Sequence, residues 1–223
     1  MSSEAGARPG VPPPAPPHPD PPPRHEVPPA TLDGRIDLRA LFGDDRPVEL
    51  EIGSGKGRFL IEQAAVRPDT NFLGVEWSLK YVRLSGERAA KRGVRNVRLL
   101  RADARHVVAD LIPDAALRRL HVYCPDPWPK KRHHKRRFFA ESTVPHLERI
   151  LEPGGHLHVS TDVAEYFEAI GTALRERTGL REAEDPLFPP ADPGGRTSYE
   201  IKYHKTGRAI HRACWRRVTG SPR

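Results

Sequence analysis

The stretch VELEIGSGKG, residues 48–57, decides the fold of this chain. Apolar side chains alternate at Val48, Leu50 and Ile52, which predicts a short buried β-strand. The glycines that follow predict a tight turn, and the residues after them predict a helix beginning near Arg58. A strand, a glycine-rich turn and a helix in this order are typical of a ligand-binding site in an α/β protein.

Several kinds of ligand-binding turn compete here, and the spacing of the glycines separates them. A phosphate-binding P-loop requires glycine at the position of Leu50 and a hydroxyl residue at the position of Gly57, so it is excluded. The NAD fingerprint requires its third glycine at the position of Arg58, so it does not match. The acidic residue and the glycines present are Glu51, Gly53, Gly55 and Gly57. This pattern resembles the S-adenosylmethionine turn of class I methyltransferases, with a plain tight turn as the alternative.

Length and composition predict one α/β domain preceded by a tail. Of the 223 residues 37% are hydrophobic, the mean hydropathy is -0.63, and no apolar run approaches a membrane-spanning length. Residues 1–30 hold 12 of the 25 prolines, so we expect a disordered proline-rich tail there and the folded domain at 31–223. The apolar side chains of the lead-in, residues 31–46, that we expect to pack on the domain are Ile36, Leu38, Leu41 and Phe42.

The N-terminus lacks the apolar core of a signal peptide, so we expect a cytoplasmic protein with no membrane partner. Cys124 and Cys214 lie in apolar, strand-like runs and are expected to be buried thiols rather than a disulfide. Neither has metal-site spacing, and His133-His134 lacks a suitably spaced third ligand, so no metal is expected. The net charge of +8 favours a polyanionic partner, either nucleic acid or an acidic surface.

Acidic residues follow three consecutive predicted strands at their carboxyl ends. Residues 71–75 predict the second strand, which ends on Glu76, and residues 97–100 predict the third, which is followed by Asp103. The carboxyl ends of neighbouring parallel strands meet at one edge of a sheet, so we expect Glu51, Glu76 and Asp103 to line one crevice. Glu76 lies about 20 residues after the glycine turn, the separation at which a strand-end carboxylate reaches the ribose of a nucleoside.

A fourth predicted strand, residues 120–124, runs into the sequence PDPWPK at residues 125–130. Prolines on both sides of Asp126 restrict its backbone, and a stiff turn that holds a carboxylate beside Trp128 indicates a site whose geometry matters. Six positive charges follow, at Lys130, Lys131, Arg132, Lys135, Arg136 and Arg137. Because this run abuts the crevice, we interpret it as a clamp for a phosphate backbone rather than as a solvated face or a localisation signal.

The remaining patterns continue the alternation of strands and helices. The predicted elements are a helix over 78–92 stopped by Gly93, a helix over 138–151 bent at Pro145, a strand over 156–160 ending in Thr161-Asp162, a helix over 163–177, a basic, turn-like stretch to Arg208 and a last strand over 210–218. The histidines at 121, 156 and 158 are interpreted as alternating strand positions rather than ligands.

Together these motifs resemble one family, the tRNA (guanine-N7)-methyltransferases. The motifs are EIGxGxG at 51–57, GVE at 74–76, DA at 103–104, PDPWPK with its basic run, STD at 160–162 and TxYE at 197–200. PDPW followed by lysine and the basic run is the most specific of them. The resemblance covers residues 48–223 and implies an α/β, Rossmann-like class I methyltransferase fold, an open, mostly parallel sheet with helices on both faces.

The resemblance also implies the reaction, which is methyl transfer from S-adenosylmethionine to N7 of a guanine in the variable loop of tRNA. It places Asp126 at the catalytic centre. The implied cofactor contacts are Glu51, Gly53, Gly55, Gly57, Glu76, Asp103 and Asp126. The implied substrate contacts are Lys130, Asp162, Thr197, Ser198, Tyr199 and Glu200. Cys124 departs from the family, which more often has phenylalanine before the turn, and we expect it to widen the pocket slightly.

The chemistry of guanine N7 is consistent with these residues. N7 carries a lone pair and no proton, so no general base is needed there, and aligning the two reactants can contribute about 7–11 kcal/mol. Asp126 is the candidate for a fixed carboxylate that stabilises the positive charge forming on the purine. Asp162 and Glu200 are candidates to accept hydrogen bonds from guanine N1–H and N2–H₂. Trp128 or Tyr199 is expected to stack on a base that has left its helix.

Two other functions are compatible with parts of the pattern. The Asp-Pro-x-Trp turn also resembles the Asn/Asp-Pro-Pro-aromatic turn that grips an exocyclic amine in amino-group methyltransferases, although Trp128 and the lysine-rich run argue against it. A non-catalytic tRNA-binding subunit would use the basic run but would not need the strand-end carboxylates. The oligomeric state stays open among a monomer, a homodimer and an assembly with a second subunit.

Overall fold

The computed structural model describes residues 25–27, 34–187 and 197–218. Its strands are β1 (Val48–Ile52), β2 (Asn71–Glu76), β3 (Val97–Arg101), β4 (Leu117–Tyr123), β5 (Leu151–Thr161), β6 (Leu180–Glu182) and β7 (His211–Arg217). Its α-helices are α1 (Leu38–Phe42), α2 (Arg58–Val66), α3 (Leu79–Arg92), α4 (Ala104–His106), α5 (Val144–Ile150), α6 (Ala164–Arg177) and α7 (Ser198–Lys205). A π-helical turn, Val107–Leu111, extends α4, and a 3₁₀ helix covers Lys131–Arg136.

The strands form one seven-stranded sheet in the order β3-β2-β1-β4-β5-β7-β6. Strands β1 to β5 run parallel, and β7 is antiparallel to both of its neighbours. This order confirms the predicted open, mostly parallel sheet. The strand order reverses beside β1 and β4, and in such sheets a crevice for a ligand opens at the carboxyl ends of the strands.

Apolar cores cover both faces of the sheet. Phe72 and Leu73 are consecutive in β2, so their side chains point to opposite faces. Phe72 packs in a cluster with the buried side of α2 and α3, whereas Leu73 packs in a cluster with residues of α5 and α6. Helices on both faces were predicted, and this division of the core confirms them.

The glycine turn between β1 and α2 has the backbone conformation that its sequence predicts. Gly53, Gly55 and Gly57 all have positive φ, and Gly57 immediately precedes α2. A Cβ atom at Gly57 would come within 2.8 Å of the Ser85 side chain on α3. Glycine at this position therefore allows both the left-handed backbone and the close packing of α2 against α3.

The order of elements after β4 differs in part from the prediction. A continuous helix over 138–151 was wrong, because α5 begins only at Val144. Pro145 occupies the first turn of α5, where its missing N–H costs nothing, rather than a bend within a longer helix. The stretch predicted as turn-like before Arg208 contains α7, and β6 was not predicted.

Residues 25–27 lie in the segment predicted as a disordered tail, but they pair with the sheet. Glu26 forms a parallel bridge with Leu99 of β3, and the Val27 amide donates to the Leu99 carbonyl at 2.8 Å. Strand β3 is an edge strand, whose open backbone groups accept an added segment. The tail prediction is therefore corrected for these three residues, and the rest of it, 1–24 and 28–30, lies outside the described residues.

The lead-in packs as expected. Ile36 and Phe42 are buried in the core, and Leu38 and Leu41 are partly buried against it. Within the described ranges, every helix is too short or too polar to cross a membrane.

Candidate active site

A cavity of about 640 Å³ lies along the carboxyl ends of the parallel strands. Four acidic side chains from four different strand ends line it: Glu76 as the last residue of β2, Asp103 after β3, Asp126 after β4 and Asp162 after β5. These residues are far apart in sequence, and parallel strand order brings them together. The sequence predicts that these four strand ends face one crevice, and their shared cavity confirms that grouping.

Glu51 lies in a smaller adjoining cavity of about 210 Å³ instead of in the large one. The two cavities share the walls formed by Gly53, Tyr81, Tyr123 and Tyr199. The side chain of Glu51 is 3% exposed, and its Oε2 atom has no hydrogen-bond partner among the described residues. Burial raises the pKa of Glu51 to about 8, and the negative charges of Glu200 and Glu76 add to the shift.

Glu76 connects the end of β2 to the glycine turn. Its Oε2 atom accepts a hydrogen bond from the amide of Gly55 at 2.9 Å, and its Oε1 atom accepts one from the amide of Ser78 at 2.8 Å. The hydroxyl of Ser85 on α3 donates to the carbonyl of Gly55 at 3.0 Å. The carboxylate is therefore held in place while it still borders the cavity.

Asp103 caps the short helix α4. Its side chain accepts a hydrogen bond from the amide of Arg105 at 2.8 Å and one from the Arg105 guanidinium at 2.9 Å. The hydrogen bond from the Arg105 side chain lowers the pKa of Asp103. At neutral pH this strand end therefore presents an ionised carboxylate.

The Pro-Asp-Pro-Trp turn is strained at both of its ends. Cys124 before it has φ of +48° and Trp128 within it has φ of +41°, values that side chains other than glycine rarely adopt. The amide of Cys124 donates to the carbonyl of Ser160 in β5 at 2.7 Å, which ties the start of the turn to the sheet. Burial raises the pKa of the Cys124 thiol to about 12, so this group is not a nucleophile at neutral pH.

Asp126 itself is exposed at the cavity and makes no hydrogen bond or ion pair with the described part of the chain. The indole of Trp128 has contacts instead, because the guanidinium of Arg136 lies 5.0 Å from its ring centre and His133 meets it edge to face. Within the described residues, the turn thus presents a carboxylate without a protein partner and an aromatic ring already covered on one side.

The basic run divides into exposed and buried side chains. Those exposed are Lys130, Lys131, Arg132, Lys135 and Arg136, all on or directly before the 3₁₀ helix. Arg137 is only 5% exposed. Its guanidinium donates to the Pro127 carbonyl and to both carboxylate oxygens of Glu165. The prediction that Arg137 contacts nucleic acid is therefore corrected, because its donors are used inside the protein.

Asp162 and Tyr199 line the large cavity, whereas Thr197 and Ser198 line the smaller one. Asp162 is paired with Arg208, which follows α7. Thr197 and Glu200 form a reciprocal capping box at the start of α7, with Glu200 Oε2 accepting from the Thr197 amide at 3.2 Å and Thr197 Oγ1 accepting from the Glu200 amide at 3.2 Å. The spacing T-x-x-E is the signal by which the sequence could have revealed α7.

Glu200 faces the interior of the protein. Its side chain is fully buried, its Oε1 atom accepts a hydrogen bond from the Ser160 hydroxyl at 2.7 Å, and Arg212 lies 3.4 Å away. Its assignment to guanine binding stays a prediction, and it would require the carboxylate to leave these partners. Ser198 and Tyr199 do line the cavity walls, and the Tyr199 side chain is 54% exposed.

The sequence did not single out several cavity-lining residues, among them Tyr81, Tyr123, Tyr203 and Arg208. A chain of buried hydrogen-bonding groups holds Tyr123 in place. Its hydroxyl lies 2.9 Å from Nδ1 of His121, and Nε2 of His121 lies 3.0 Å from Glu49. His121 and His158 are register partners on β4 and β5, and their rings stack. The interpretation of these histidines as alternating strand positions is confirmed.

The relatives of this chain indicate its family. A family model described as "Putative methyltransferase" matches residues 45–213. The tRNA (guanine-N(7)-)-methyltransferase of Chromohalobacter salexigens is 37% identical over 83% of this chain and 76% of its own length. The enzymes of the same name from Rhodopirellula baltica and Nocardia farcinica are 36% and 38% identical over 85% and 83% of this chain, and each match spans 73% of the relative.

Solved structures agree on the fold. The 16S rRNA methyltransferase KamB superposes with a TM-score of 0.61 at 17% identity, covering 82% of this chain and 93% of that chain. A 16S rRNA (adenine(1408)-N(1))-methyltransferase from Catenulisporales acidiphilia gives a TM-score of 0.56 at 17% identity, covering 79% and 88%. The fold is therefore that of class I methyltransferases. With its relatives matching across most of its length, this chain belongs to the tRNA (guanine-N(7)-)-methyltransferase family.

Proposed function

We propose that this chain transfers a methyl group from S-adenosylmethionine to N7 of a guanine in tRNA. The observation that carries the proposal is that the predicted cofactor site and the predicted nucleic-acid site border the same cavity. The strand-end carboxylates Glu76 and Asp103 border the same cavity as Asp126, which heads the turn leading into the exposed basic run. One cavity with a cofactor side and a nucleic-acid side is what such a transfer needs.

The residues on the cofactor side fit S-adenosylmethionine. The buried Oε2 atom of Glu51, which has no hydrogen-bond partner among the residues that the structure describes, is an acceptor for the ammonium group of the methionine part. We assign the two ribose hydroxyls to Glu76 and the adenine amine to Asp103. Backbone at Gly53 and Gly55 has no Cβ atom, so the ligand can approach it closely. When bound, the cofactor supplies a methyl group on a positively charged sulfur.

Asp126 and Asp162 act on the guanine side. Because N7 has no proton to lose, the carboxylate of Asp126 serves to stabilise the positive charge that develops on the purine. Because Asp126 has no partner in the described part of the chain, its oxygens are available for this purpose. Asp162 accepts from guanine N1–H and N2–H₂ in place of its ion pair with Arg208, which discriminates against adenine.

The tRNA is held by the exposed side chains of the basic run, Lys130, Lys131, Arg132, Lys135 and Arg136. They bind the phosphate backbone, which gives affinity without sequence recognition. A guanine that leaves its stack meets Tyr199, whose exposed ring borders both cavities. Tyr199 is preferred to Trp128 for this role, because the guanidinium of Arg136 already lies over the Trp128 ring.

The test is nucleoside mass spectrometry of unmodified tRNA incubated with the purified protein and S-adenosylmethionine. We expect 7-methylguanosine with the intact chain and a loss of about 100-fold or more with Asp126→Asn, which keeps the shape of the side chain but removes its charge. Mapping of the modified position checks the expected guanine of the variable loop.

Other outcomes would contradict specific parts of the proposal. A methylated exocyclic amine would keep the cofactor and overturn the N7 assignment. Binding of S-adenosylmethionine and tRNA without any methylated product would overturn the proposed activity in favour of a non-catalytic subunit. Equal activity of Asp126→Asn and the parent protein would remove Asp126 from the catalytic centre.

A further inference from the structure

We infer that Arg137 is a positioning residue that clamps the Pro-Asp-Pro-Trp turn and thereby fixes the carboxylate of Asp126. This inference rests on the proposed function and adds to it a part for a residue outside the cavity. Arg137 is the last residue of the basic run, but only 5% of its surface is exposed, whereas the other lysines and arginines of the run are exposed.

The contacts of Arg137 join the turn to helix α6. Its Nε atom donates to the carbonyl of Pro127 at 2.7 Å, directly after Asp126. Its two terminal nitrogens donate to the two carboxylate oxygens of Glu165 at 3.2 and 2.8 Å. The guanidinium also lies 4.5 Å from the ring centre of Tyr166, the next residue of α6. All three guanidinium nitrogens are therefore directed by protein groups.

The turn needs an external support because its backbone is strained. The positive φ values at Cys124 and Trp128 persist only where neighbouring groups over-determine the conformation. At the Cys124 end that support is the hydrogen bond to Ser160 in β5. At the other end, the bond from Arg137 to the Pro127 carbonyl supplies it, since the proline nitrogens of the turn have no hydrogen to donate.

Arginine is required for this arrangement, because a planar guanidinium can donate in several fixed directions at once. Lysine keeps the positive charge but offers a single nitrogen, which cannot bridge Pro127 and both oxygens of Glu165. A phosphate ligand would tolerate lysine, so Arg137→Lys distinguishes a clamp from a nucleic-acid contact.

The test compares Arg137→Lys and Arg137→Gln with the parent protein and with Arg177→Lys. Arg177 also forms an ion pair from α6, to Glu141 on the surface, and serves as the matched control. The readouts are kcat at saturating tRNA, the Kd for S-adenosylmethionine by calorimetry, and the Kd for tRNA over a range of salt concentrations. Thermal unfolding verifies that each variant is folded.

We expect both Arg137 variants to lower kcat about 10- to 100-fold, because moving a reacting group by about 1 Å slows a reaction by this order. The salt dependence of tRNA binding should stay that of the parent. By contrast, Lys135→Ala should make the plot of log K for tRNA binding against log salt concentration shallower by about one unit, as the loss of one phosphate contact does. Unchanged kcat in Arg137→Lys, or a slope lowered by about one unit in Arg137→Gln, would overturn the inference.

Two further measurements keep the inference testable on its own. If Arg137→Gln does not fold, Glu165→Gln replaces it, since the Glu165 side chain is 65% exposed and its loss removes only the outer half of the clamp. Because burial keeps the Cys124 thiol unreactive while the turn is closed, its labelling by a thiol reagent, assigned by mass spectrometry apart from that of Cys214, reports opening of the turn without any activity. Faster labelling in Arg137→Lys than in Arg177→Lys supports the clamp even if the parent protein makes no 7-methylguanosine, and equal labelling argues against it.

Discussion

The amide of Gly55 donates a hydrogen bond to Glu76, 2.9 Å away and 21 residues later in the chain. The carboxylate proposed to hold the cofactor ribose therefore also holds the glycine turn that the cofactor must contact. A second bond, from the Ser78 amide, occupies the other oxygen. Glu76 thus links the proposed cofactor binding to the shape of the glycine turn through one side chain.

From this relationship we predict that Glu76→Gln weakens binding of S-adenosylmethionine at least about tenfold. A glutamine offers one acceptor oxygen instead of two, so it cannot serve both amides and the ribose, and it loses the strength of a charged acceptor. Calorimetric titration measures the effect. Glu87→Gln on the exposed face of α3 is the control, and equal affinities of the two variants would contradict the link.

A second prediction concerns the pH dependence of stability and comes from Glu51. Burial raises its pKa in the folded state to about 8, above the ordinary value of 4.5. The unfolded chain therefore loses this proton first, and the folded state loses stability relative to it as the pH rises from 4.5 to 8. Glu51→Gln removes the effect, so its stability advantage over the parent should grow by about 1.4 kcal/mol per pH unit at most.

Urea unfolding of the parent and Glu51→Gln at pH 5, 6, 7 and 8 checks this prediction. All other titrating groups are common to both proteins, so the difference between the two curves isolates Glu51. Parallel curves would show that the carboxyl group is ionised in the folded protein across this range.

A third prediction concerns the buried charge network beneath Tyr123. Glu49 is fully buried and accepts hydrogen bonds from Arg67 at 2.6 and 2.9 Å and from Arg119 at 2.8 Å, with His121 at 3.0 Å. Burial alone would raise the pKa of Glu49, but His121 and Arg67 hold it well below its usual range. The stabilisation from Glu49 is therefore present above the unfolded-state pKa of 4.5 and is lost as the pH falls.

Glu49→Gln should lower the free energy of unfolding at pH 7 by about 3–5 kcal/mol, because it removes the buried negative charge that Arg67 and Arg119 both face, although Arg119 keeps its ion pair with Asp185. The exposed ion pair between Glu62 and Arg58 is the reference, and Glu62→Gln should cost about 1 kcal/mol or less. Similar losses in the two variants would contradict a special contribution of the buried network.

A fourth prediction concerns the N-terminal segment. Removing residues 1–24 should leave stability unchanged, whereas removing residues 1–30 should lower it by about 1–3 kcal/mol. The longer deletion removes the two backbone hydrogen bonds between residues 25–27 and Leu99, each with a net contribution of about 0.5–1.5 kcal/mol. Both truncated proteins should retain methylation at 25 °C, since residues 25–27 do not line either cavity.

Thermal unfolding measures the stability of the two truncated proteins and of the full chain, and so checks this prediction. Equal stability of both would show that the bridge to β3 contributes nothing in solution. A loss of tRNA affinity in either would instead assign the segment to the substrate site.

The part of the site that the sequence alone determined rests on local patterns. The alternation of Val48, Leu50 and Ile52 and the spacing of the glycines predict a strand, a turn and a helix without reference to the rest of the chain. The acidic residues after successive strands could be placed at one edge, because parallel strands in an α/β fold all end there. The Pro-Asp-Pro-Trp motif with its basic run indicated the family, which the relatives confirm.

Only the tertiary structure decided which charged side chains face the cavity and which are used inside the protein. Arg137 and Arg136 are neighbours in one basic run, yet Arg137 turns inward to Glu165, 28 residues later. Glu200 is paired with Ser160, 40 residues earlier, and Asp162 with Arg208, 46 residues later. Such pairings depend on how α6, α7 and β5 pack together, and no periodicity in the sequence encodes a contact between segments so far apart.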